Sequence, residues 1–256
     1  MPATNAKGRA MCATCYIGTS GWQYPHWKGT FYPEEMDEQG MLACYSKQLH
    51  AVEINNSFYR LPKIETLEQW VDTVPSGFLF AVKASRYITH MKKLKNADHS
   101  VNRFIERIEV LGERLAPILF QLPPNWRCNP QRLADFLSTL PQGHRYVFEF
   151  RDKSWFDERI YRLLEEAGAA FCIYDLARCQ SPKRITAEFV YIRLHGPGAA
   201  YQGSYPVDKL SGWAGALSSW ARQGKDIFCF FDNDQQGYAA KNALKLKDML
   251  CADTTS

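Results

Sequence analysis

At 256 residues, 46% hydrophobic and 23% charged, the chain has the make-up of an ordinary soluble globular protein. Its length suits two small domains or one α/β barrel of ~250 residues. A formal net charge of +4 permits an anionic partner without demanding one, because dedicated nucleic-acid domains are often far more basic. No apolar run reaches the ~18 residues that span a membrane, and the first twelve residues lack the apolar core of a secretory signal, so a cytoplasmic location is expected.

Residues 1–14 read as a disordered lead-in, 15–251 as one barrel domain and 252–256 as a tail. A first strand is expected over 16–22, followed by an aromatic loop with Tyr24, Trp27, Phe31 and Tyr32. Asp37 is positioned to cap a helix over 38–49. The second strand, 51–57, carries Glu53 and Asn55 and leads to a helix over 64–73. The third, 78–85, turns Lys83 inward by alternation. A basic loop, 86–99, precedes a helix over 100–115 whose Val101, Phe104, Ile105, Ile108 and Leu111 keep a 3.6 period. The fourth strand, 117–122, ends near Gln121, and Asn129-Pro130 opens the next helix.

The fifth strand is the most informative stretch, RYVFEFRDKSW over 145–155. Tyr146, Phe148 and Phe150 share one face; Val147, Glu149 and Arg151 share the other. Asp157 caps a helix to about 167, and Gly168 ends it. The sixth strand, 170–176, ends in Asp175; residues 177–187 show no helical period. The seventh, 189–195, is apolar except for Arg193 and His195. A glycine-rich loop, a helix with Leu210, Trp213, Leu217 and Trp220, an eighth strand over 227–232 and a last helix over 238–250 complete the chain. Strands separated by helices imply parallel pairing. Eight such units close into a (β/α)8 barrel of the TIM type. An open dinucleotide-binding sheet lacks its GxGxxG after the first strand.

Side chains alternate along a strand, so one parity faces the barrel axis. Near the strand ends that parity yields Glu53, Asn55, Lys83, Gln121, Glu149, Arg151, Asp175, Arg193, His195 and Asp232. Barrel enzymes keep their chemistry at this face. A buried charge network that only holds the barrel is the structural alternative. Trp22, Tyr24, Trp155 and other rings follow strand ends and are expected to rim the mouth, where flat faces stack on cyclic ligands. Of eight cysteines, Cys12 and Cys15 form a lone CxxC. Zinc ribbons need two such pairs, and a redox pair would open a helix, so these read as two exposed thiols.

The stretches GTSGWQYPHWKGTFYP, EINNSFYRLP, FAVKASRYITH, FQLPP, EFRDKSWF, RLHG and DNDQQGYAAKNA follow one another in the order seen in a known family. From Ile17 to about Leu246 the chain resembles the domain-of-unknown-function 72 family, the YecE-like proteins. The resemblance implies a TIM barrel and no established activity. Two positions depart from it: Asp152 stands where His is frequent, and Asp232 where Asn is frequent.

The residues support three functions. The first is an enzyme on a phosphorylated or nucleotide-like ligand. Lys83, Arg151 and Arg193 would grip the anion, Glu149 or Glu53 would act as base, and His195 would give or relay a proton, with Asp232 beside it. Asn55, Gln121, Asp175, Trp22, Tyr24 and Trp155 complete the expected binding set. No cofactor is required, although Glu53, Glu149, Asp175, His195 and Asp232 are ligand types a divalent metal accepts. The second is a nucleic-acid or nucleotide-binding module using Lys92, Lys93, Lys95 and the aromatic rim. The third is a glycosidase with two carboxylates. If Glu149 is held ready for substrate, Glu149→Gln is expected to be neutral or mildly stabilising.

Overall fold

A computed structural model describes residues 13–177 and 179–253. Among these, eight strands lie parallel and close on themselves: β1 Cys15–Ser20, β2 Ala51–Ile54, β3 Leu79–Lys83, β4 Leu115–Gln121, β5 Tyr146–Glu149, β6 Ala170–Leu176, β7 Phe189–Leu194 and β8 Asp226–Phe231. Each pairs with its sequence neighbours. β8 returns to β1 with Ile17 opposite Cys229, and the β5–β6 pairing completes the ring. The outer layer holds α1 Glu38–Ser46, α2 Ile64–Thr73, α3 Asp98–Ile108, α4 Pro130–Ser138, α5 Glu158–Glu166, α6 Val207–Arg222 and α7 Tyr238–Asp253. The expected TIM barrel is thus the fold. Most of the expected lead-in lies outside the described residues. Thr14 already bonds to Asp226 and Ile227, and α7 runs past the expected boundary at 251.

The helices start where their caps predict. Asp37 Oδ1 accepts from the Gly40 amide at 2.7 Å, Asn129 Oδ1 from Arg132 at 2.9 Å and Asp157 Oδ1 from Arg159 at 2.9 Å, each satisfying an otherwise orphaned donor. α3 is shorter than its apolar period suggests. It gives way at Glu109 to a 3₁₀ segment in which Gly112 takes φ +52°. The sixth connection is irregular, as read. After β6 the chain makes a short antiparallel return at Cys179–Gln180 and then crosses the outside of the barrel without a helix.

Two apolar layers result. The larger lies between strands and helices and holds Ile17, Val52, Phe80, Ile118, Phe120, Phe148, Phe150, Phe171 and Ile192. The smaller fills the barrel with Ala51, Ala81, Leu119, Val147, Cys172, Tyr191, Phe228 and Phe230. On β4 the register to β3 slips between Phe80 and Val82. The extra residue falls at Pro117, which has no amide hydrogen to give the ladder. The slip lets Ala116 and Leu119 both face inward and carries Gln121 to the mouth. Gly18 on β1 is required for another reason: a β-carbon there would strike the Ala51 carbonyl oxygen, which also accepts from the Tyr45 hydroxyl at 2.9 Å.

Candidate functional site

Above the apolar filling the inward parity turns polar, and one arginine organises it. Arg193 on β7 is 1% exposed. Its Nε and Nη2 donate to Glu53 Oε1 at 3.2 and 2.7 Å, its Nη1 to Glu149 Oε2 at 2.9 Å, and Nη2 also to Asp232 Oδ2 at 3.2 Å. Glu53, from β2, further accepts from Ser20 Oγ and Tyr191 Oη, each at 2.7 Å. Glu149 accepts from Arg151 Nε through its other oxygen. Every charge at this level is therefore paired, as buried charges must be. Arg193 was expected to grip a ligand anion; it is instead the strut of the floor, its guanidinium committed to three carboxylates.

The network settles protonation states. Burial pushes the Glu149 carboxyl up, but Arg151 and Arg193 outweigh it and hold it well below the usual range. Asp232 is likewise held down against burial by the His195 hydrogen bond and Arg193. His195 is fully buried. Its Nε2 lies 3.1 Å from Arg151 Nη2 and its Nδ1 3.0 Å from Asp232 Oδ2. Guanidinium nitrogens only donate, so Nε2 accepts and Nδ1–H donates to Asp232. Burial and the Arg193 charge lower its pKa further. His195 is thus a neutral link between Arg151 and Asp232 rather than the expected proton donor.

Lys83 sits above this floor and differs from it. Its Nζ lies 4.3 Å over the Phe58 ring and, among the described residues, within salt-bridge range of no carboxylate. Burial and the Arg193 charge bring it down to about 8, against the pull of Glu149, Glu53 and Asp232. One step beyond the Ile54–Val82 register pair, Asn55 stands beside it, and Asn55 Oδ1 is buried without a partner. Gln121 follows Leu119 on the inner face. His90, from the π-turn Tyr87–Met91, stacks edge-on against Phe58 at 5.0 Å. Burial, Lys83, Arg86 and Arg151 bring it down to about 4. Tyr24 reaches the same space, its hydroxyl donating to the Ser20 carbonyl at 2.6 Å. Tyr201 stands edge-on to His195 at 5.5 Å. It sits in a loop that requires Gly196, which has φ +126° and no room for a β-carbon between Ala199 and Gln202.

Three expected site residues point elsewhere. Asp175 faces outward. Burial raises its pKa, opposed by hydrogen bonds with Gln180 and Tyr205. The inward residue of β6 is Tyr174, whose ring lies 5.2 Å from the Arg151 guanidinium. Trp22 packs edge-on against Trp70 at 4.9 Å, and Trp155 stacks on Phe150 at 4.9 Å. Both belong to the outer apolar layer. Cys15 is half-buried rather than exposed, its thiol pushed up to about 11 by burial and Asp226; Cys12 lies outside the described residues. The two positions that depart from the family pattern both have work: Asp232 bonds Arg193 and His195, and Asp152 Oδ1 accepts from Ser154 N at 2.9 Å. Ser20, Tyr174 and Tyr191 were missed, although Tyr191 lies two residues before Arg193 on the same parity.

A sequence profile described as protein of unknown function DUF72 matches residues 16–256. The chain belongs to the DUF72 family. Among its relatives, the UPF0759 protein YunF of Bacillus subtilis (strain 168) is 27% identical, covering 92% of this chain and 94% of that one. The crystal structure of a DUF72 family protein from Thermotoga maritima MSB8 superposes with a TM-score of 0.84 at 29% identity, over 93% of this chain and 99% of the other. A DUF72 family protein from Enterococcus faecalis V583, at 19% identity, shares the fold with a TM-score of 0.80 over 93% and 96%.

Among the described residues no group of three or more His, Cys, Asp or Glu is arranged to hold a metal ion. The reason is chemical: the carboxylates of this DUF72 barrel already face guanidinium groups, and a metal would have to displace them. No helix among the described residues is long and apolar enough to cross a membrane.

Proposed function

We propose that the mouth binds a small phosphorylated or nucleotide-like ligand and acts on it by general acid–base chemistry. One observation carries the reading. The polar floor is paired throughout, while above it the Lys83 ammonium, over the Phe58 ring, has no carboxylate within salt-bridge range among the described residues, and at the end of the neighbouring strand the buried Asn55 carbonyl oxygen has no donor. A cation and an acceptor left open at the mouth of a barrel suit an anionic ligand with a hydroxyl or amine. Arg151 and Arg86 add positive potential on the same side, as their effect on His90 indicates. The proton-transfer roles narrow. Glu53 and Glu149 are wholly buried, whereas Asp232 keeps 18% of its side chain exposed and is the carboxylate a ligand reaches. The same burial weakens the glycosidase alternative, which needs one carboxyl group free to protonate a leaving group.

Titrating inorganic phosphate and nucleoside phosphates while following Tm tests the reading. Stabilisation should grow as RT ln(1 + [L]/Kd), about 2.7 kcal/mol at a hundredfold excess over Kd, and vanish in Lys83→Ala. Failure of every phosphorylated ligand to shift Tm overturns it. A second reading, binding of single-stranded nucleic acid, is favoured by exposed Tyr59, Tyr87 and Met91, with the Lys92 ammonium 5.4 Å over the Tyr87 ring. It requires affinity that falls with salt, with a log–log slope of about −0.7 per phosphate contact.

A further inference from the structure

Lys83 is a lysine held inside the mouth of the barrel, with no carboxylate within salt-bridge range among the described residues. It ends β3 on the inner face, at the level where barrel chemistry occurs. Its Nζ sits 4.3 Å over the centre of the Phe58 ring, which holds the amine above the floor. The charged and titratable groups that act on it from other elements are His90 in the π-turn and, below, Arg193, Glu53, Glu149 and Asp232; Asn55 stands one residue past β2, the neighbouring strand. His90, itself down to about 4, is neutral at pH 7 and adds no second charge.

We propose that Lys83 is a covalent nucleophile that forms an imine with the carbonyl carbon of a small aldehyde or ketone bearing an anionic group. The neutral amine attacks the carbonyl carbon, and one amine proton passes through water to the oxygen, giving a carbinolamine. The hydroxyl takes a proton from solvent and leaves as water while the nitrogen lone pair closes the C=N bond. The result is an iminium ion with the same single positive charge as protonated Lys83. Three carboxylates, Glu53, Glu149 and Asp232, face three cations, Arg151, Arg193 and Lys83. The iminium preserves that balance, so the floor stabilises it as it stabilises the ammonium. Asn55 Oδ1, buried and without a partner at the end of the neighbouring strand, is the acceptor available to the carbinolamine hydroxyl or the iminium N–H. A Lys83 down to about 8 has a substantial neutral fraction near neutrality, which an ordinary lysine lacks.

The inference rests on the preceding reading only for the ligand's negative charge. The test treats the full chain with glycolaldehyde phosphate and sodium cyanoborohydride at about pH 7.5, with uncharged glycolaldehyde in parallel. Intact mass and peptide mapping then locate the reduced adducts. A first adduct at Lys83 is expected, formed roughly tenfold or more faster than at other lysines, with a rate that climbs towards pH 8. Lys83→Arg, which keeps the charge over the floor, should abolish it. Labelling spread evenly over surface lysines, and unchanged in Lys83→Arg, overturns the imine. Labelling at Lys83 that is equally fast with the uncharged aldehyde and unaffected by inorganic phosphate sustains the nucleophile and overturns the anionic charge of its ligand.

Discussion

At the lower end of the barrel Arg145 Nη1 meets Asp226 Oδ2 at 3.2 Å, and its guanidinium lies 5.6 and 5.7 Å from the Phe189 and Phe228 rings. At the upper end Arg193 meets Glu53, Glu149 and Asp232. The lower pair is wet, its side chains 51% and 30% exposed; for Arg193 and Glu53 the figures are 1% and 0%. Beneath the lower pair the barrel is stoppered by rings, Tyr16 stacked on Phe228 at 4.9 Å. An arginine lying on aromatic faces is a lid over an apolar plug and loses little solvation. The upper one has given up its water entirely, which costs several kcal/mol per ion before any pairing returns it. A chain that needed only to close its barrel had the cheaper solution available and used it below. The costly arrangement above fits the proposed ligand site, which would need its charges preset.

The sharpest way to break this contrast is to remove one partner from the upper network. Glu53→Gln should cost about 3–5 kcal/mol in denaturant unfolding, because Arg193 is left under-compensated out of water. Glu149→Gln should behave alike. Sequence alone suggested neutrality there, but Glu149 turns out to answer two guanidinium groups. Stability unchanged in both variants would show that the floor is wetter than its geometry implies.

Acid should sharpen it next. His195 is held neutral, its pKa below that of the unfolded chain, so below about pH 6.5 the unfolded state binds the extra proton and stability falls as pH drops. His90 acts in the same sense. Asp232 and Glu149 have depressed values; their contribution is present above about pH 4 and lost as pH falls through their folded values. The slope between pH 7 and 5 should therefore flatten in His195→Asn, measured by urea midpoints. An unaltered slope would assign the acid loss to other groups. The smallest effect belongs to the lower end. Arg145→Ala should cost no more than about 1 kcal/mol, and a larger loss would erase the distinction between the two ends.

Much of this was legible in the chain because a strand has a period of two. Once β2, β3, β5, β7 and β8 were placed, Glu53, Lys83, Glu149, Arg151, Arg193 and Asp232 followed on one face. Alternation failed where both faces are buried. β6 reads AFCIYDL, and choosing its terminal acid over Tyr174 put Asp175 on the wrong side. It failed again past the strand ends. Gly21, at φ +99°, turns the chain after β1, so Trp22 joins the outer layer. The division of labour between Arg193 and Lys83 had no sequence signal. Both are cations at strand ends, and only the positions of three carboxylates show that one is spent and the other free.

The helix missing from the sixth connection has a thermodynamic consequence. Where other strands are covered by a helix, β6 is served by hydroxyl groups. Thr186 Oγ1 accepts from the Phe171 amide at 2.8 Å and donates to the Ala169 carbonyl at 2.7 Å, and Ser181 Oγ accepts from the Tyr174 amide at 2.9 Å. Pro182 and Lys183, between them, are exposed. The ring is also thinly joined here, with two register pairs between β5 and β6 against four between β4 and β5. The Phe171 and Tyr174 amide protons are therefore expected to exchange with solvent through opening of one loop rather than through loss of the whole barrel, which hydrogen exchange would check. The seam lies next to Tyr174 and Arg151, so the least cooperative part of the ring is also the wall of the mouth.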